Sequence, residues 1–351
     1  MPLVASQRQQ PANPLHSLIN TLIQTQDLRI TLCLSSDCCR DTLARISYMN
    51  LVMNTLLFLL LGLFWSLSFL AIKITVVTLP PLMAAFLRVL VAQIAFTTLF
   101  LFTRQKLKVS FSSIWRLWVA GIFLQGIPFA LLFFGETYIA AGLASIINST
   151  VGIWAMIFSI LIFKDYSQAT LTKITGLTLG VLGVLIISSP DIMHSQQHNK
   201  LIGILAVVGM AMSYAFGALL NQKLNTCAHK TSLKASLWHQ HWGSLVFLLI
   251  LASSFEHWQA ITPLFYHPQV IVALLYLGIF STAIAWFIYV HLIHTWGTIR
   301  ASTVLFMMPI LALLWDRLFL HLAPSTLEIY GVVVILMGVA LIQFSKKKKL
   351  V

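Results

Sequence analysis

Arg88 and Glu136 are the residues of this chain whose types and positions are most suited to chemistry, because each is an ionisable side chain set within a long apolar run. An ionisable group inside a membrane span costs roughly 2.5–3.5 kcal/mol on insertion scales, so it needs a partner, water or a task. A guanidinium at Arg88 can line a cavity and hold a carboxylate or phosphate through two parallel hydrogen bonds. Lys73 lies towards the end of its run, where a long side chain can snorkel to the headgroups or turn inward. Glu136 can bind and release a proton, or pair with Lys73 or Arg88, and both readings are open. The neutral candidates are Trp65, Gln125, Asn148, Trp154, Trp286 and Tyr289. Pockets for organic solutes combine aromatic walls with a few convergent hydrogen-bonding groups. The competing readings are interfacial anchoring for the aromatics and interhelical hydrogen bonding for Gln125 and Asn148.

Metal chemistry finds little support. His239 and His241 are two residues apart and point to different faces of a helix, unlike an i, i+4 ligand pair. His291 and His294 can share a face, but no third ligand accompanies them. The cysteines Cys33, Cys38, Cys39 and Cys227 form no Cys-x-x-Cys pair, so reduced, incidental thiols are expected. No cofactor is indicated. Asp316 and Arg317 are adjacent and so face different directions, which favours interfacial anchoring over mutual neutralisation.

The elements that must position these groups follow from composition. The 351 residues are 59% hydrophobic and only 9% charged, too little charge to solvate a globular surface. Apolar stretches near the ~20 residues that cross a bilayer recur between short polar joints. They place spans at 54–77, 82–103, 114–136, 140–163, 171–189, 201–220, 235–254, 269–293, 299–320 and 327–345. Continuous apolar runs such as Leu56–Leu61 and Val332–Leu336 lack the alternation of a barrel strand, so the predicted fold is an all-α integral membrane protein of ten transmembrane helices.

The net charge of +13 invites a nucleic-acid reading, but its placement fits the positive-inside rule. With a cytoplasmic N-terminus, 18 of the 22 Lys and Arg fall inside, among them Arg104, Lys106, Lys164, Lys230 and the tail Lys346–Lys349. Only Lys200 and Arg317 fall outside, while Lys73 and Arg88 lie within spans. An even number of spans puts both termini in the cytoplasm. Residues 1–50 are polar and Gln- and Ser-rich, with no signal-peptide pattern, and read as a loosely ordered tail or an extension ahead of a start at Met49 or Met53. Residues 346–351 form a basic cytoplasmic tail.

An internal repeat divides the rest. Gly176–Ile187 (GLTLGVLGVLII) and Gly331–Ile342 (GVVVILMGVALI) both read glycine, six residues, then Gly-Val. The first span of each half carries an aromatic followed by Lys, Trp65 with Lys73 and Tyr214 with Lys223. Halves at 51–190 and 191–345 with five spans each must be inverted relative to one another, because an odd number flips the second copy. Many secondary transporters have this arrangement, with substrate near the midplane between the repeats. Gly126–Pro128 and Pro309 interrupt backbone bonding and are candidate hinges.

With these features in order, residues 53–345 resemble the EamA group of the drug/metabolite transporter superfamily. The segments that carry the resemblance are Phe64–Phe69 with Lys73, Pro81–Phe86 with Arg88, and Ala140–Ser145. In the second half they are Leu277–Ala283, Gly297 with Arg300–Ser302, Pro309, and Gly331 with Gly338-Val339. Gly152 replaces the family's fourth-span proline, and Leu322, beside His321, stands where Asp165 closes the corresponding turn of the first half. The resemblance implies a carrier of amino acids, their derivatives or drugs, working outward by alternating access in a bacterial inner membrane, with proton coupling open. The partners expected are a small-molecule substrate and membrane lipid, not nucleic acid. Walker, Gly-x-Ser-x-Gly and His-Glu-x-x-His patterns do not occur, which counts against direct ATP drive and against the alternative of a membrane-embedded enzyme or carrier for lipid-linked substrates. A scaffold without a polar pathway has little reason to keep Arg88, Glu136 and Asn148 at lipid depth.

Overall fold

The structure is a computed structural model that describes residues 37–103, 107, 109–139, 141–162, 164, 170–193, 200–227, 232–308, 310–311 and 326–344. Chain contacts divide it into Met1–Leu56 and Leu57–Val351. The described part of the first unit is helical backbone, in which Thr55 Oγ1 donates to the Leu51 carbonyl at 2.8 Å. The packing and the site described below are those of the second.

Helix is the only regular secondary structure among the described residues, as apolar sequences without strand alternation require. The order is α1 (Asp37–Val76), α2 (Pro81–Phe102), α3 (Phe111–Gly121) and α4 (Ile127–Tyr138), then α5 (Ala141–Ser149), α6 (Val151–Leu161) and α7 (Leu171–Met193). There follow α8 (Lys200–Cys227), α9 (Leu233–Phe255), α10 (Pro268–Gly278), α11 (Ala285–Trp296), α12 (Thr298–Ser302) and α13 (Thr326–Phe344). Among the described residues, six stretches are long and apolar enough to cross a membrane: Met49–Val76, Pro81–Phe102, Phe111–Tyr138, Ala141–Leu161, Leu201–Leu224 and Pro268–Ile293. The expected fifth and tenth spans coincide with the shorter apolar helices Leu171–Gly183 and Ile329–Ile342. The expected seventh is α9, whose first half carries His239, Gln240 and His241 and is correspondingly less apolar. Most of the expected ninth, with Pro309, Asp316, Arg317, His321 and Leu322, lies outside the described residues, as do Cys33, Asp165 and Lys346–Lys349. The described part of α1 reaches back to Asp37, within the polar tail read from sequence at 1–50.

Two spans are continuous helices interrupted by a single wide turn. The π-helical turn Ile122–Gly126 joins α3 to α4, and Ile279–Ile284 joins α10 to α11. A π turn frees backbone carbonyls, which need donors from elsewhere. Ser213 Oγ, on α8, donates to the Phe123 carbonyl at 2.9 Å, and Trp65 Nε1, on α1, donates to the Ser281 carbonyl at 3.1 Å. Pro128, two residues past the first of these turns, has no N–H to contribute.

The repeated glycines meet each other. Helices α7 and α13 pack together, and a Cβ added to Gly176 would stand 2.8 Å from the Gly338 carbonyl oxygen, while one on Gly338 would stand 2.6 Å from that of Gly176. A Cβ on Gly183 would lie 2.7 Å from the Gly331 carbonyl oxygen. The first glycine of one copy thus faces the second of the other, as antiparallel helices demand, and the missing side chains let the backbones approach. Outward faces keep large apolar residues uncovered, among them Ile94, Leu99, Leu182, Leu205, Ile250, Val272 and Leu336, the surface that lipid solvates.

Candidate functional site

An aromatic cluster forms where α1, α8 and α11 converge. The rings of Trp65 and Tyr289 lie 5.0 Å apart, those of Trp65 and Trp286 6.1 Å, and those of Trp286 and Tyr289 5.4 Å at an interplanar angle of 80°. Tyr214 stacks on Trp286 at 6.3 Å. Edge-to-face and offset contacts at such distances hold rings in fixed orientations. Tyr289 is further pinned by a hydrogen bond between its hydroxyl and Ser302 Oγ, 3.0 Å.

These rings wall a cavity of roughly 520 Å³, open solvent included. Residues of the first half that line it are Trp65, Ser68, Phe69, Arg88, Leu124, Leu132, Asn148 and Val151; Tyr214, Trp286, Tyr289, Leu305 and Met308 come from the second. Most of the wall is apolar. Arg88 brings the one charge among the described lining residues, and its position is fixed on three sides. Nε donates to Thr282 Oγ1 at 2.8 Å, Nη2 donates to Ser281 Oγ at 3.1 Å, and Cζ sits 4.0 Å above the Phe129 ring. Both hydroxyls belong to the π turn between α10 and α11, so that turn aims a polar pair at the guanidinium. Asn148 contacts Met308 Sδ through Nδ2 at 3.5 Å, while its buried Oδ1 has no hydrogen-bond partner.

Of the candidates read from sequence, Arg88, Trp65, Asn148, Trp286 and Tyr289 share this cavity, and Lys73, Glu136, Gln125 and Trp154 are not among its lining. Lys73 neither reaches for headgroups nor bonds the Glu136 carboxylate. Its ammonium donates to the backbone carbonyls of Glu136, at 2.7 Å, and Ile139, at 3.3 Å, closing the end of α4 where carbonyls lack helical partners. Glu136 is fully buried one helical turn from the lining residue Leu132, and neither carboxyl oxygen has a hydrogen-bond partner. Arg88 and Lys73 both lie within electrostatic range of it. Gln125 is buried in the first π turn with both amide atoms unpartnered, and half-buried Trp154 packs on Phe158 at 6.1 Å. His239 and His241 face backbone carbonyls of Leu107 and Leu237, and no cluster of metal-ligating side chains occurs among the described residues. Tyr214 was legible as the counterpart of Trp65 in the repeat. Ser68, Phe69, Leu124, Leu132, Val151, Leu305 and Met308 carry no signal that separates them from ordinary core residues.

Comparison with known proteins settles the class. The model of the EamA-like transporter family matches twice, over residues 53–189 and 201–344. The chain belongs to the EamA-like transporter family. As an EamA-like protein it is a multi-pass membrane transporter acting on small molecules, not an enzyme. Among its relatives, an uncharacterized transporter of Archaeoglobus fulgidus is 26% identical over 80% of this chain and 94% of its own. Protein PagO of Salmonella typhimurium is 28% identical over 84% and 93%, and a probable amino-acid metabolite efflux pump of the same organism is 25% identical over 80% and 91%. A protein of known crystal structure superposes over 83% of this EamA-like chain and 96% of its own with a TM-score of 0.65 at 16% identity, a likeness of fold.

Proposed function

We propose that this EamA-like protein is a secondary carrier that moves small organic metabolites, such as amino acids, their derivatives or drugs, out of the cytoplasm by alternating access. The observation that carries the reading is the cavity, an aromatic chamber with one fixed cation, whose wall is contributed by both halves of the chain. A site between two halves can open to either side as one half rocks against the other. The proposed architecture is ten spans in two inverted halves of five, divided at 51–190 and 191–345, with both termini in the cytoplasm of a bacterial inner membrane. The antiparallel meeting of the repeated glycines and the matching π turns support the inversion, and the Lys and Arg distribution supports the orientation. The efflux pump among the relatives supports outward transport. Glu136 is the group proposed to exchange a proton during the cycle, since its buried carboxyl oxygens have no partner that a proton would displace.

Cells expressing the protein, its Arg88→Ala variant at matched membrane level, or an empty vector should be compared for metabolites inside and outside. A compound depleted inside and enriched outside by the parent protein but not by the variant is the expected result. Unchanged pools over a broad panel would sink the transport assignment of this cavity.

A further inference from the structure

We infer that the cavity selects organic monocarboxylates with a flat apolar body over cations and over zwitterions, which rests on the transporter reading above and narrows its solutes to acids without a free ammonium. Charge is the first argument. Among the described lining residues Arg88 is a cation and none is a carboxylate. Glu136, one helical turn outside the lining, is within electrostatic range of Arg88; while it holds its proton the chamber carries one net positive charge, so a guest bearing one negative charge is matched and an ammonium is not. The ammonium of a zwitterion would find no carboxylate among the described lining residues, only ring faces and the unpartnered Oδ1 of Asn148, set against repulsion from Arg88.

Geometry narrows the anion. The Nε–Nη2 edge of Arg88, the edge a side-on carboxylate or phosphate would occupy, already donates to the hydroxyls of Thr282 and Ser281. Nη2 has a further, long contact with the Ser281 carbonyl at 3.5 Å, on the same turn as the two hydroxyls, so the edge left for a guest is the end-on one, Nη1 with Nη2, which matches carboxylate spacing. One fixed cation neutralises one charge, so a phosphate dianion would leave a net charge in an apolar chamber. The hydroxyl pair and the Phe129 ring hold the fork before a guest arrives, which removes the ordering cost of binding. The rings of Trp65, Trp286 and Tyr214 then offer faces and edges to a planar body.

The test is counterflow uptake by the purified protein in proteoliposomes, with four probes that share one indole ring: indole-3-acetate, indole-3-acetamide, tryptamine and L-tryptophan. Indole-3-acetate should enter at least ten times faster than the other three. Arg88→Gln should lower its uptake tenfold or more while the purified variant still runs as a single symmetric peak on size exclusion, which reports that it is folded. Arg88→Lys, which keeps the charge and loses the fork, should retain the preference for the acid with a higher KM. Tryptamine or L-tryptophan moving as fast as the acid, or Arg88→Gln slowing all four alike, overturns the inference. Silence of all four probes while expressing cells still export some metabolite overturns the selectivity alone, whereas silence in both settings overturns the transporter reading as well.

Discussion

A carboxyl group with no partner and a lysine that ignores it set the terms at the scale of single residues. Lys73 holds the backbone of Glu136, not its side chain, so the two ionisable groups are neighbours without being an ion pair. Breaking a buried pair costs about 3–5 kcal/mol, because it strands a charge. Glu136→Gln should therefore leave the thermal midpoint of the detergent-purified protein within about 1 °C, removing no hydrogen bond. Lys73→Met should lower that midpoint by several degrees through loss of about 1–3 kcal/mol, because two terminal carbonyls lose their donor. A large drop for Glu136→Gln would show that the carboxylate is an ion-pair partner after all. The sequence singled out both residues, since a charge in an apolar run is conspicuous, but not whether Lys73 bonds side chain or backbone. That depends on α4 ending within reach of α1, which residue types do not encode. The apolar lining residues were illegible for a related reason: Leu124 and Val151 differ from core residues only in what stands opposite them.

Elements are joined by contacts of a different kind, backbone against backbone and side chain against helix end. Pro81 opens α2 without an N–H, and the next two N–H groups, of Leu82 and Met83, donate to the Glu256 carboxylate at 2.9 and 2.6 Å. A carboxylate at a helix N-terminus satisfies orphan donors and opposes the helix dipole favourably. Partial burial raises the Glu256 carboxyl above the usual carboxylate range, and the two N–H bonds offset only part of that rise. The sign follows: a folded pKa above the unfolded one means the folded state takes up the proton first, so this group's contribution to stability grows as pH falls from the folded value to the ordinary one. Glu256→Gln should flatten that dependence in melts taken from neutral pH down to about 4, and Glu256→Ala should cost about 1 kcal/mol at pH 7 by removing both acceptors. The glycine contacts between α7 and α13 are less forgiving. Gly338→Val should lower the yield of folded protein sharply, since the new Cβ meets a carbonyl on a packed helix, and Gly176→Val should do the same. These glycines were visible in sequence as a repeat. Their mutual contact was not, because a repeat gives a period and not a partner.

For the molecule as a whole, the all-helical fold and six of the expected spans were legible, because apolar length is a property of segments and survives ignorance of contacts. The expected seventh span coincides with α9, whose first half is polar, and the π turns were missed because no residue pattern announces them. A C-terminal fusion to green fluorescent protein should fluoresce and one to alkaline phosphatase should be inactive, as a cytoplasmic terminus requires; the opposite pair of results would invert the proposed orientation. The two π turns carry one more implication. The Phe123 carbonyl in one half is held by Ser213 of the other, and the Ser281 carbonyl is held by Trp65 in return. If the halves of the proposed inverted carrier were identical, its inward-open and outward-open forms would be the same object seen from opposite sides and equally populated. The clasps are unequal, since one turn presents Phe123 and Leu124 and the other presents Ser281 and Thr282 to Arg88. Under the proposed alternating access, the way the empty carrier rests follows from the mismatch between its two copies, and Thr282→Val should tilt that balance without touching the chamber's rings.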